Sequence, residues 1–192
     1  MSNILIDLLP STVKIEGTEY NINSNFRTSV LFSLLMEDEE LTEKEKINQA
    51  LELYYPIIPH NKIEAVKKIE WFYSCGKENT SKPAGKKGNS ERIFDYEEDA
   101  KYIYAAFLSQ YRIDLQDIEY LHWWKFKALL DSLGENNKLL EIMKYRSIDI
   151  SKIEDKEQRR FYKDMKKIYS LNKHNKEEEK IINDWNKILK QS

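Results

Sequence analysis

In TVKIEGTEYNIN, Thr12 to Asn23, apolar side chains fall on alternate positions: Val13 and Ile15, then Tyr20 and Ile22, with Gly17 between the runs. A period of two belongs to a strand, so the segment predicts a short β-hairpin turning at Gly17. Two strands alone are marginal in water, and the hairpin is expected to pack on helices. From there the period becomes helical. Asn25 or Ser24 is placed to cap FRTSVLFSLLME. TEKE, from Thr42, is a capping-box pattern ahead of KINQALELYY, where Ile47, Ala50, Leu51 and Tyr54 share a face until Pro56 and Pro59. Asn61 caps KIEAVKKIEWFYSC, with Ile63, Val66, Ile69 and Phe72 or Tyr73 aligned. Asp95 is expected to cap YEEDAKYIYAAFLSQYRI, placing Glu97, Glu98 and Asp99 in its first turn, where negative charge suits the helix dipole. Tyr102 or Ile103, Ala106, Phe107 and Gln110 trace its face. Asp114 or Asp117 opens the next helix, which holds YLHWWKFKALLDSL and ends at Gly134. NNKLLEIMKYR, residues 155–170 and residues 173–190 read as three more helices. The expected fold is mainly α, a compact multi-helix domain with a small N-terminal β-hairpin.

The pattern breaks once. GKENTSKPAGKKGNSER, residues 76–92, carries three of the five glycines and almost no apolar residue, and reads as a linker or long loop. Its Lys82, Lys86, Lys87 and Arg92 invite a phosphate-binding reading, but no strand–GxxxxGK[ST]–helix context surrounds them. The chain thus divides into a hairpin with helices (1–75), a linker (76–92), an aromatic-rich helical core (93–171) and a C-terminal amphipathic helix (172–192).

Adjacent helical residues point about 100° apart, so Trp123 and Trp124 serve different sides of their helix. Trp123 aligns with Phe126, Lys127 and Leu130; Trp124 aligns with Tyr120, Leu121 and Ala128. A helix apolar on two sides is central, so Tyr104, Phe107, Trp123, Trp124 and Phe126 are the candidate core aromatics. At the C-terminus, Ile181, Trp185 and Ile188 form a narrow stripe joined by Ile182 and Leu189. The stripe either docks on its own domain or anchors a partner, and its three leading residues are the candidate partner-binding set.

Chemistry-bearing constellations are not found. His122 has no serine elbow, cysteine–histidine arrangement or HExxH beside it, and His60 and His174 lie in separate segments. Glu97, Glu98 and Asp99 are a charge run at a helix start, as is EEEK at 177–180. No enzyme activity, metal or cofactor is expected. Lys+Arg 31 against Asp+Glu 33 leaves a net charge of −2, which argues against general nucleic-acid binding. Cys75 is the only cysteine, so no internal disulfide can form, and a reducing compartment fits. The start, MSNILIDLLPSTVKI, lacks a basic n-region, and no segment approaches ~20 apolar residues. A cytoplasmic protein is expected.

Within FDYEEDAKYIYAAFLSQYRIDLQDIEYLHWWKFKALLDSL the chain resembles the bacteriophage gene-product-fifteen family of tailed phages and prophages of Gram-positive bacteria. The matching blocks are Glu97–Ala100, Ile103–Phe107, Tyr111–Leu115, Leu121–Phe126, Tyr145–Arg146 and Phe161–Leu171, with LHWWKF the most specific. An N-terminal pattern, LPxxVxIxGxxYxIxxxFRxxxxF, fits from Leu9 to Phe32. Arg112 stands where the family often has glycine. The resemblance reaches about Leu171 and implies a gene among the tail-morphogenesis genes, near the tape-measure gene. It implies no catalytic residues. The implied role is a tail-assembly chaperone binding phage tail proteins, above all the tape measure, with a second tail chaperone as a possible companion. A structural tail component and a nucleic-acid-binding module are the rival readings.

Overall fold

The computed structural model describes residues 4–77 and 92–171. Among these residues there are two strands and seven α-helices, a mainly α fold with one hairpin. Contacts group into two units: Met1–Ser90 with Tyr96–Leu140, and Glu91–Asp95 with Glu141–Ser192.

In the first unit, β1 (Thr12–Ile15) pairs antiparallel with β2 (Thr18–Asn21), Ile15 opposite Thr18. Glu16 and Gly17 both have positive φ, 49° and 83°, the backbone that a two-residue hairpin turn requires. Val13, Ile15 and Ile22 are buried. The turn is tied down as well: Asn61 Nδ2 donates to Glu16 Oε1 at 2.6 Å, while Asn61 Oδ1 accepts from Glu64 N and so caps α3 (Lys62–Tyr73). The exit of the hairpin closes another helix end. Asn23 donates its backbone N–H to Tyr54 O and its side chain to Leu53 O, the last carbonyls of α2 (Glu43–Tyr54).

Asn25 caps α1 (Phe26–Glu37), and Thr42 with Glu45 forms the capping box of α2. The buried face of α2 is Lys46, Ala50, Leu51 and Tyr54, and Ile47 is exposed. Lys46 earns its place by donating to Met36 O in the last turn of α1, where positive charge meets the negative helix end. On α3 the buried residues are Ala65, Ile69 and Phe72, and Ile63 faces out.

Two helix starts differ from the sequence expectation. α4 spans Ala100–Tyr111, so Glu97, Glu98 and Asp99 precede it, and Asp95 is ion-paired with Arg92 at 2.6 Å. α5 spans Trp123–Asp131, not a longer stretch opened at Asp114 or Asp117. Asp114 does start one turn, accepting from Gln116 N at 2.8 Å. After that turn the chain is tied to α1: Arg27 donates to Leu115 O at 2.8 Å and to Ile118 O at 2.9 Å. Leu121 O accepts from Phe26 N, and Ser24 O accepts from Trp123 N, so the starts of α1 and α5 pair as a short antiparallel bridge at Asn25 and His122.

The second unit holds α6 from Glu141 onward (the helix is Lys138–Ser147), a 3-10 turn at Ile150–Lys152, and α7 (Lys156–Ile168). Asp149 caps the 3-10 turn and Asp155 caps α7. The helix expected over 173–190 lies outside the described residues.

Candidate partner-binding surface

Trp123 and Trp124 begin α5 and lie against the end of α3. Trp123 Nε1 donates to Tyr73 O at 2.8 Å, and Trp124 Nε1 donates to Phe72 O at 2.8 Å. The last carbonyls of a helix have no partner within it. Two adjacent indoles, diverging by one helical step, reach two successive such carbonyls. Trp123 is 1% exposed and Trp124 5%. Their rings join a wider aromatic packing: Tyr73 stacks on Trp123 at 5.3 Å, and Phe126 stacks on Phe107 at 4.9 Å and on Phe26 at 4.8 Å. Phe107 and Phe126 are also buried.

Tyr104, grouped with these from sequence, is not part of the packing. It is half-buried at the edge of α4 and its hydroxyl donates to Asp114 Oδ2 at 3.1 Å. A phenol keeps its hydroxyl near polar partners, while Ile103, Ala106 and Phe107 take the inner face. The helical alignment of Trp124 with Tyr120 and Leu121 also fails, since those residues precede α5.

His122 is the N-cap of α5, a role that the flanking sequence does not announce. Its Nδ1 accepts from Trp124 N at 3.0 Å, so the neutral ring carries its proton on Nε2, which donates to Pro10 O at 3.0 Å. Burial pulls its pKa below the ordinary histidine value; the bond to Pro10 opposes that shift and Lys125 adds to it. Both ring nitrogens are therefore committed to backbone groups.

A cleft of about 780 Å³ opens beside the tryptophans, lined in part by Phe32, Tyr73, Cys75, Lys127 and Asp131. Lys127 and Asp131, one turn apart on α5, are ion-paired along one wall. Burial pushes the Cys75 thiol up to about 11, so it stays protonated at neutral pH. Among the described residues no group of three His, Cys, Asp or Glu is placed to hold a metal, and no helix is long and apolar enough to cross a membrane.

Ile6 is 80% exposed and Leu8 97%. In the second unit, α7 has no fully buried residue. Phe161, Met165 and Ile168 sit at i, i+4 and i+7, with Phe161 48% and Ile168 64% exposed. Tyr162 and Tyr169 run alongside. Lys156, Arg159, Arg160, Lys163, Lys166 and Lys167 flank the stripe, against Glu157 and Asp164. One edge of α7 is held to α6: Tyr145 stacks on Tyr169 at 5.7 Å, and Arg146 Nε donates to Tyr169 O at 2.5 Å. The spacing of this helix face is visible in EQRRFYKDMKKI. Ile181, Trp185 and Ile188 lie outside the described residues.

Set against known proteins, a family model described as Bacteriophage Gp15 protein matches residues 5–171. No curated protein and no solved structure matches the chain.

Proposed function

The chain belongs to the bacteriophage Gp15 protein family, and from that premise we propose that it is a non-enzymatic tail-assembly chaperone. It binds the helical tape-measure protein in the host cytoplasm while the tail is built, alone or with a second tail chaperone. A long helical client carries hydrophobic stripes that need covering before the tail tube closes. A protein that covers them needs an apolar face on a charged body, used in the helix-in-groove manner. The observation that carries this reading is α7, a helix whose stripe Phe161, Met165 and Ile168 has no fully buried member and is bordered by lysines and arginines.

The test is co-expression of the tape-measure protein with the full chain and with Phe161→Asp. The wild-type chain is expected to keep the client soluble and to co-purify with it, and to be missing from purified particles. A central anchor of an interface is worth roughly 2 kcal/mol or more, about 30-fold in affinity, so Phe161→Asp should lose the client while remaining helical. A wild-type chain that binds no client and is found in purified particles is a structural tail component, and the chaperone reading then fails.

A further inference from the structure

We propose that the side of α7 turned away from its apolar stripe binds the phosphate backbone of a nucleic acid, without regard to base sequence. The inference does not need the client-binding reading, because it uses a different side of the helix. Lys156, Arg160, Lys163 and Lys167 stand at i, i+4, i+7 and i+11. At 100° per residue they fall within an arc of ~60° and make one row, about 16 Å from first to last. The middle of the row lies ~140° round the axis from Phe161, Met165 and Ile168, with Glu157 and Asp164 between the two on one side.

All four side chains are exposed. Neither an ion pair nor a hydrogen bond ties any of them to another described residue. The other two cations of the helix are held back: Arg159 Nε donates to Ile153 O at 2.8 Å, and Lys166 Nζ to Ile148 O at 3.5 Å. The net charge of −2 hides this row because the charge is unevenly spread, with six basic and two acidic side chains among the 13 residues of α7.

Charge calls for an anionic partner, and the geometry selects which kind. A membrane-surface helix sinks its apolar face and keeps its cations at the same boundary. Here row and stripe point nearly opposite ways, so one flat surface cannot meet both. A protein partner needs an apolar anchor, and the arc of the row has none; exposed ion pairs alone add little to such a contact. A polyphosphate chain is different. Each neutralised phosphate releases condensed counterions, so cations without apolar neighbours suffice. Over about 16 Å one strand of a duplex presents about five phosphates, enough for the four side chains.

The experiment is fluorescence anisotropy of a labelled 20-base-pair duplex of arbitrary sequence, and of its single strand, titrated with the full-length protein at NaCl from about 25 to 150 mM. The slope of log K against log [NaCl] is expected to be about −3 to −4 for the duplex and about −3 for the single strand, with a second sequence bound equally well. Lys156→Gln/Lys163→Gln should make the duplex slope shallower by about 2, with helix content by circular dichroism unchanged. Phe161→Ser should leave DNA binding as it is. No binding at the lowest salt overturns the proposal, as does a slope that is the same in the wild type and the lysine variant. Binding to phosphatidylglycerol vesicles but not to DNA overturns it too, in favour of a membrane surface. Co-expression separates the two readings of α7. If DNA binding behaves as expected but the tape measure is not captured, only the client reading fails. If the tape measure is captured and DNA is not bound, only the phosphate proposal fails.

Discussion

Arg112 holds a left-handed backbone, φ 57° and ψ 28°, at the C-cap of α4. A side chain with a Cβ costs roughly 1–2 kcal/mol there, and glycine does not. This accounts for the glycine that the family often carries at this place. Arg112→Gly is expected to raise stability by about 1 kcal/mol after the entropy of the unfolded glycine is set against the relieved strain; the denaturant midpoint measures it. Gly76 is the opposite case. Its φ is +75°, and a Cβ would stand 2.9 Å from Trp124 Cη2. Gly76→Ala is expected to destabilise by about 2 kcal/mol, through backbone strain and displacement of the indole together. His122 adds a pH dependence. Its folded pKa lies below 6.5, so near and below that pH the unfolded chain binds more protons than the folded one. The stabilising term is whole above pH ~6.5 and is lost as pH falls through the lowered folded value. Urea titrations at pH 7.5 and pH 5 should show a larger loss in the wild type than in His122→Asn, which keeps the cap acceptor and removes the titration. Equal losses would place the acid sensitivity elsewhere.

At the level of elements, local chemistry explains some helix starts and not others. Asn25, Thr42 and Asn61 act as caps because each side chain sits within three residues of the N–H it accepts from. Thr42→Ala should therefore cost about 1 kcal/mol, read in the melting temperature. The start of α5 was not legible in this way. Asp114 has cap chemistry, but the segment after it is tied to α1 through Arg27, which donates to Leu115 O and Ile118 O from 88 and 91 residues away in sequence. The join between α3 and α5 has the same origin. Trp124→Phe keeps most of the buried ring and removes one N–H, so about 1 kcal/mol is expected, Phe72 O still accepting from Cys75 N. Trp124→Ala removes the ring and should cost about 3–5 kcal/mol. If thermal melts put the two variants level, the indole contributes through its hydrogen bond and not its volume.

For the whole molecule, 33% charged residues with a pI near 6.0 give a surface that is crowded with charge yet neutral in sum around pH 6. Repulsion between copies is then weakest while Ile6 and Leu8 remain exposed. Self-association by light scattering should peak near pH 6 and fall in Ile6→Ser/Leu8→Ser. The periods of two and 3.6, the capping residues and the turn glycine were enough to name a mainly α fold, its hairpin and most of its helices, because those signals act between residues a few positions apart. LHWWKF marked the family for the same reason: it is a contiguous string. The inner face of α2 needed the folded chain: Lys46 is buried while Ile47 is exposed, and the lysine finds its partner in Met36 O of another helix. The tryptophan pair needed it too. Their hydrophobicity marked them as buried, but their hydrogen bonds reach Phe72 and Tyr73, 52 and 50 residues away. Hydrogen-bonding groups are satisfied by whatever lies nearest in space, and for a carbonyl at the end of a helix that neighbour comes from a distant part of the chain.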